Sequence, residues 1–454
     1  MDGGRARVYV TRVQLRNVKG FTGRRAADLI LPGRSGWTVL AGRNSSGKST
    51  VLQSIALALG GPAVARALVS DFTGWISTRA KKGEVEVHVV SDPVNDGFTG
   101  SGNKPQGEIS LGLRWTHPEP DRHAPRPVMA PLGTGKSGPR GPWVENPIGW
   151  FCAGYGPFRR LTGGSSEAQR LMLNQGPSGR LATLFHEDAS LAEGVAWLID
   201  LRLRMYEEGK SSEAAVLLNQ VMSLLRDGLL PDRYQIQRVS ADGLWVVEKG
   251  HKGPGFPLKE MSDGYRTVAA LVLDIVRQLH GAYGYLHTHP TASRSGGTAI
   301  LAPGVVLIDE VDAHLHVTWQ RKIGDWMQDH FPNIQFIVTS HSPYICQAAD
   351  EGGLIRLPGA DEHQPPEVVD EDLYRRVVYG SGDDAVLSEL FGLETPYSSR
   401  AEQQRRRLVA LERKVYAKAA TAEEIAEYQE LSGLLTSSLE SRVAEVSARL
   451  EQER

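Results

Sequence analysis

Trp37-Thr38-Val39-Leu40-Ala41-Gly42-Arg43-Asn44-Ser45-Ser46-Gly47-Lys48-Ser49-Thr50 decides how the chain is read. Its first five residues are a strand-like run leading straight into Gly42, and Gly42 to Ser49 fits G-x-x-x-x-G-K-[ST]. Behind the loop, Val51, Leu52, Ile55, Ala56 and Leu59 recur at helical spacing until Gly60-Gly61-Pro62, which predicts a stop. Strand, loop and helix in this order make a phosphate-binding loop. Its glycines let backbone N–H groups turn inward on phosphate oxygens, and the helix N-terminus adds positive potential. Lys48 then reaches the β and γ phosphates, and Ser49 can ligate magnesium. The expected nucleotide contacts are Gly42, Arg43, Asn44, Ser45, Ser46, Gly47, Lys48, Ser49 and Thr50.

Two short apolar, β-branched runs further on, Val305 to Ile308 and Ile334 to Val338, read as central parallel strands. The first ends in Asp309-Glu310, two carboxylates at the sheet edge where ligands of parallel sheets bind. Asp309 is expected to hold magnesium through water and Glu310 to orient or deprotonate the attacking water. The second run leads to Thr339-Ser340-His341, which puts His341 at the same edge, able to donate to a γ-phosphate. Ser262, Asp263 and Gly264 open the buried helix Val268 to Leu279 and form either a second anion-binding nest or a simple N-cap. Gly133-Thr134-Gly135-Lys136-Ser137 imitates the end of the phosphate loop, but Ala130 stands where its first glycine should be. It is read as a flexible basic loop with neither a strand before nor a helix after it.

At 454 residues the chain has room for roughly two to four domains and an ample core. Lys+Arg of 51 against Asp+Glu of 53 leaves a net charge of -2, which excludes a dedicated coat for duplex DNA. With Cys152 and Cys346 as its only cysteines, the chain can build neither a disulfide framework nor a Cys-rich zinc site, which suits a reducing compartment. No stretch approaches the roughly 18 to 20 continuous apolar residues of a membrane span, and Met1 to Val10 is too polar for a signal-peptide core. Localisation is therefore read as cytoplasmic, with no membrane contact. His314 with His316, and His287 with His289, lack the further ligands of a metal site. Arg159-Arg160, Arg375-Arg376 and Arg405-Arg406-Arg407 read as solvated faces before nucleic-acid contacts.

Period-two alternation marks strands from Val8 to Phe21, Glu84 to Val90 and Glu108 to Trp115. Thr116 to Pro147 is Pro/Gly-rich and is expected to carry no core, and Gly284 to Gly304 reads as loop. Two amphipathic helices between Leu191 and Leu224 look like an insertion. In the tail, Ser399 with Glu402 and Thr421 with Glu424 fit capping boxes, and Leu431, Leu435, Leu439, Val443, Val446 and Leu450 form a stripe.

In this order and spacing, the pieces resemble the ABC-type ATPase head of the RecF/SMC-like branch. The match is carried by Arg43-Asn44-Ser45-Ser46, by Leu258 to Arg266 as the signature, by Leu307 to His316 as Walker B plus D-loop, and by Thr339 to Pro343 as the switch-histidine segment. The resemblance implies an α/β head with a mixed, largely parallel central sheet, an antiparallel N-terminal lobe, a helical insertion and a C-terminal helical hairpin. The two halves of the head are expected at residues 1–165 and 234–360, the insertion at 166–233 and a connecting segment at 361–398; the tail at 399–454 either packs on the head or docks a partner, and docking is favoured because so short a hairpin has little core of its own. ATP and Mg2+ are the implied cofactors, turned over slowly by Lys48, Glu310 and His341 with Ser49 and Asp309 on the metal. A homodimer or higher even oligomer is implied, in which Ser262 and Gly264 of one head cap the ATP held by Lys48 of the other.

Within that branch, Phe151 to Arg160, Ser262 to Arg266 and Leu390 to Pro396 resemble the compact ATPases of bacterial anti-phage operons, such as Septu and the retron-associated ATPases. That resemblance implies a separate effector, an HNH-type nuclease, with nucleic acid reached mainly through it. Val317 stands where relatives commonly carry proline, and the magnesium-sensing glutamine is unassigned, with Gln169 and Gln175 as candidates. A DNA repair or recombination ATPase, and a non-hydrolysing ATP-dependent scaffold, are the alternative readings.

Overall fold

Apolar residues on every second position make the first sheet. In the computed structural model, residues 8–435 are described except 102, 106, 119–125, 134, 136, 160–169, 173–175, 231–232, 251–252, 292–296, 393–394 and 396. Strands β1 (Tyr9–Arg16) and β2 (Ala27–Ile30) precede β3 (Gly36–Ala41), the phosphate loop and helix α1 (Lys48–Leu68). Then come β4 (Lys82–Val90), β5 (Glu108–Thr116) and β6 (Val128–Pro131), which join the first two strands in an antiparallel sheet ordered β2-β1-β4-β5-β6. Val85, Val87 and Val89 of β4 point inward, and Glu84, Glu86 and His88 point outward.

The chain continues through a short helix α2 (Ser137–Arg140), β7 (Cys152–Tyr155), α3 (Pro177–Phe185), α4 (Ala192–Glu208) and α5 (Glu213–Arg226). Strands β8 (Tyr234–Ser240), β9 (Gly243–Glu248) and β10 (Phe256–Pro257) form a three-stranded sheet ahead of α6 (Asp263–Tyr283). A two-stranded pair, β11 (Thr288–Pro290) and β12 (Thr298–Ile300), precedes β13 (Gly304–Ile308), α7 (Val317–Gln320), α8 (Ile323–His330) and β14 (Ile334–Ser340). Helix α9 (Pro343–Cys346), β15 (Leu354–Arg356), β16 (Glu367–Val368), α10 (Glu371–Val378) and α11 (Gly382–Val386) follow.

The central sheet runs β16-β15-β3-β14-β13-β7, parallel throughout except for the antiparallel edge strand β16. Every residue of β13 and β14 is buried, as continuous apolar strands covered on both faces must be. Helix α1 packs against strands of both large sheets. By length and composition α1 could cross a bilayer, which amends the expectation of no membrane-length apolar stretch. Here 67% of its apolar window is buried inside the fold.

Three local expectations are corrected. Gly60-Gly61-Pro62 does not end α1, because Gly61 turns at φ 75°, ψ −175° and a second helical segment restarts at Pro62. Proline is well placed there, since the first turn of a helix leaves its N–H groups unpaired anyway. The Pro/Gly-rich stretch after Thr116 contains β6, α2 and a buried Met129, and its Trp143 donates from Nε1 to Ala58 O at 2.9 Å, against the kink. The imitation phosphate loop therefore has a strand before it and one helical turn after it, at the edge of the antiparallel sheet; Thr134 and Lys136 lie outside the described residues. The Gly284 to Gly304 segment carries β11 and β12.

The described residues fall into two compact units, divided between Phe391 and Gly392. The second contains α12 (Ser399–Tyr416) and α13 (Ala422–Leu434), held to each other by ion pairs Arg407–Glu427 (2.7 Å) and Lys414–Glu424. Ser398, not Ser399, caps α12 by accepting from the Ala401 N–H, whereas Thr421 and Glu424 form the expected capping box. Leu439, Val443, Val446 and Leu450 of the apolar stripe lie outside the described residues, as do Leu393, Glu394 and Pro396.

Gly61 adopts a backbone conformation open essentially to glycine alone, and a Cβ added there would lie 2.4 Å from Trp143 Cδ1. Gly61→Ala is expected to cost about 3 kcal/mol in chemical denaturation, from strain and overpacking together. Gly74→Ala, where a Cβ meets nothing within 4 Å, should change stability by less than about 1 kcal/mol.

Candidate functional site

Because β3, β14, β13 and β7 are neighbours and parallel, the loops at their carboxyl ends share one edge. Gly47 sits at the N-cap of α1 with φ 100°, and a Cβ there would lie 2.7 Å from Phe21 Cζ, so the loop needs glycine at this point. Lys48 is 6% exposed, and its Nζ donates to the loop carbonyls of Gly42 (2.9 Å) and Arg43 (3.0 Å). Burial lowers its pKa to about 8, and the carboxylates Asp309, Glu310 and Asp312 oppose that shift.

Directly after β13, Asp309 donates its N–H to Tyr155 O at 2.7 Å. Thr339 Oγ1 donates to Asp309 Oδ1 at 2.5 Å and accepts from the Glu310 N–H at 2.7 Å. Ser340 Oγ holds Asp312 Oδ1 at 2.6 Å in the same manner. The end of β14 thus fastens the acidic turn, in which Glu310 takes the left-handed conformation at φ 44°. Burial raises the Glu310 pKa, with Asp309 and Asp312 adding to it, and burial followed by Lys48 lowers that of His341.

Asn44 to Thr50, Glu310 and His341 line one cavity of about 700 Å³. Gly42, Arg43 and Asp309 do not line it. Residues from the segment Gly20 to Arg25 line it too, as do Ala360 and His363, and sequence spacing carries no sign of Arg25, Ala360 or His363. Arg25 donates to Ser46 O (3.3 Å), Pro358 O (3.1 Å) and Gly359 O, tying the phosphate loop to the segment after β15. The cavity suits a nucleotide with magnesium. Ser46 Oγ is buried without a partner among the described residues, and the first N–H groups of α1 have no intrahelical acceptors. A phosphate can take Lys48 from its loop carbonyls, and Ser49 and Asp309 offer hard oxygen ligands of the type magnesium selects.

Ser262, Asp263 and Gly264 are not part of that cavity. They line a separate cleft of about 260 Å³ with His314, His316 and Trp319. Ser262 occupies the N-cap of α6 without making a side-chain cap bond, and Asp263 pairs with Arg266. A Cβ on Gly264 would lie 2.4 Å from His314 O, so glycine permits α6 to touch the backbone of the turn after β13. His316 caps α7 through Nδ1, and Val317 fills the first helical position, where proline would be equally at home. Gln320 joins the two turns, donating to Leu315 O (2.9 Å) and accepting from Ser342 Oγ (2.7 Å).

The basic clusters divide. Arg375, Arg406 and Arg407 are surface residues paired with Glu371, Glu402 and Glu427. Arg405 is buried with its guanidinium 3.7 Å from the Tyr397 ring centroid. Arg159 is 2% exposed beneath the acidic turn, which corrects its reading as a solvated residue; Arg160, Gln169 and Gln175 lie outside the described residues.

A family model described as "AAA domain" matches residues 12–111, and a second, described as "AAA domain, putative AbiEii toxin, Type IV TA system", matches residues 178–347. Between them they cover the phosphate loop, the signature, the acidic turn and His341. Two separate stretches of the chain are thus similar to AAA ATPase domains. The chain is 37% identical over 135 residues to the retron Ec83 probable ATPase of Escherichia coli, covering 30% of this chain and 22% of that one. It is 23% identical over 362 residues to the Septu protein PtuA of Bacillus mycoides, covering 78% of this chain and 41% of that one. The head thus spans less than half the length of these curated relatives. An SMC head bound to the C-winged helix domain of ScpA aligns with 80% of this chain and 97% of its own, at 16% identity and a TM-score of 0.45.

ATP phosphates favour the charged form of Lys48, so binding at a pH above about 8 must take up a proton, and binding below it need not. MgATP affinity is therefore expected to be level up to about pH 8 and to fall by as much as about tenfold per pH unit beyond it. Calorimetry in buffers of different ionisation enthalpy checks this: proton uptake at pH ~9 and little at pH ~7, with the difference abolished in Lys48→Arg.

Proposed function

We propose that this chain binds ATP with magnesium, hydrolyses it slowly, pairs with a second copy while ATP is held, and through that pairing regulates a separate effector nuclease in bacterial anti-phage defence. One observation carries the reading. Lys48, Glu310 and His341 face a single cavity, whereas the signature residues Ser262 and Gly264 open onto a different cleft of the same chain. A signature that cannot reach its own nucleotide is suited to another copy's, so a closed site requires two heads.

In such a site Lys48 leaves the Gly42 and Arg43 carbonyls for phosphate oxygens, and the N-terminus of α1 adds its dipole. Magnesium, held by Ser49 and Asp309, would supply charge neutralisation on the phosphates. Glu310 orients the attacking water and accepts its proton; its raised pKa makes it a better base than an exposed carboxylate. His341, pushed towards its neutral form, donates one hydrogen bond to the γ-phosphate. Nucleotide binding and pairing then reinforce each other by the same free energy, and hydrolysis releases the pair.

The relatives named as Septu protein PtuA and retron ATPases support the defence role. The effector is proposed to be an HNH-type protein docked on the tail helices, with nucleic acid contacted mainly through it in the bacterial cytoplasm.

Lys48→Ala is expected to lose about 100-fold or more in ATP affinity, from roughly 3 kcal/mol of charge-assisted hydrogen bonds, and with it all protection against phage. Glu310→Gln should keep affinity, lose about 100-fold in turnover and accumulate as an ATP-bound dimer in light scattering. Full protection by Lys48→Ala would overturn the mechanism. Equal, negligible turnover in the parent and Glu310→Gln, with ATP-driven pairing intact, would favour a non-hydrolysing scaffold instead.

A further inference from the structure

We infer that Arg159, which does not line the nucleotide cavity, positions Glu310 for hydrolysis by gripping the backbone carbonyls of the acidic turn. The inference rests on the ATPase reading of the site. Arg159 stands four residues beyond the end of β7 and is 2% exposed. One guanidinium nitrogen donates to Gly156 O (3.0 Å) and Asp309 O (2.9 Å), and the other to Glu310 O (3.0 Å) and Val311 O (3.4 Å). Three consecutive carbonyls, Asp309 to Val311, are thus held by one rigid fork.

The turn needs such a grip for reasons on both sides of the peptide chain. β13 has ended at Ile308, and Glu310 sits in a left-handed conformation that a non-glycine residue does not keep unaided. Thr339 and Ser340 fasten the turn through Asp309 Oδ1, the Glu310 N–H and Asp312 Oδ1, but none of these contacts reaches its carbonyls. Within the turn the Ala313 N–H also donates to Glu310 O at 2.9 Å, and Arg159 is the side chain that holds all three carbonyls. Burying a guanidinium is costly unless its donors are satisfied and opposite charge is near; here its two terminal nitrogens are satisfied by carbonyls and the charges of Asp309, Asp312 and Glu310 favour it, while Nε has no partner among the described residues. Lysine cannot replace it: an ammonium is a point charge without the planar fork that spans successive carbonyls.

Arg159 does not line the nucleotide cavity, so its loss should leave ATP binding alone and misplace the Glu310 carboxylate. In the full chain, Arg159→Lys is expected to lower kcat about 100-fold while ATP affinity stays within about threefold, the effect of a displacement near 1 Å at the reacting group. In the Glu310→Gln background the same substitution should cause no further loss, because the two residues act as one unit.

Turnover within about threefold of the parent would overturn the assignment, and so would loss of affinity in proportion to kcat or losses that multiply in the double variant. Unfolding of both Arg159→Lys and Arg159→Gln, read by circular dichroism, would make Arg159 purely structural and overturn it as well. A parent chain that binds no ATP would instead overturn the proposed function, a different result from parental turnover that Arg159→Lys leaves intact.

Discussion

Parallel pairing of β14 with β3 on one side and β13 on the other is the constraint on which everything else rests. Val338 lies opposite Val39 and Ile308 in the same register, so residues 42, 309 and 341 emerge together although nearly 300 positions separate the first from the last. Each strand is short, and each is buried on both faces, so no register slip is available without exposing apolar side chains or leaving ladder bonds unmade. The phosphate loop, the acidic turn and His341 are therefore fixed relative to one another by the sheet, before any ligand contributes.

The parts of this plan that announce themselves in sequence are those whose chemistry is local. A glycine loop between a strand and a helix, or an apolar run that ends abruptly in two carboxylates, carries its meaning within a dozen residues. β7 does not: four residues, Cys152-Ala153-Gly154-Tyr155, gain a place in the central sheet only because β13 lies beside them. Arg159, Arg25 and His363 follow the same logic, since their roles come from backbone or cavity walls supplied by distant segments. The features that depart from their sequence pattern are local as well. The Pro/Gly density after Thr116 hides Trp143, one aromatic ring that fixes the α1 kink, and a shift of one residue moves the cap of α12 from Ser399 to Ser398.

Charge is organised on a similar principle. The near-neutral total conceals a concentrated arrangement in which the carboxylates of one acidic turn act on both Lys48 and the buried Arg159. Elsewhere Arg375 of α10 and Arg406 and Arg407 of α12 meet glutamates of their own helix or its neighbour. Exposed pairs of this kind contribute little to stability.

The contact between Gly264 and the turn after β13 has a mechanical meaning. Where two segments meet through side chains, a small shift can be absorbed by a rotamer change. Here the α-carbon of the helix faces the carbonyl of His314, with no side chain between them. A displacement of the turn towards α6 therefore pushes on helix backbone, and a 21-residue rod transmits that push along its whole length. The missing methyl group therefore leaves no rotamer to absorb a shift between the turn at His314 and the start of α6.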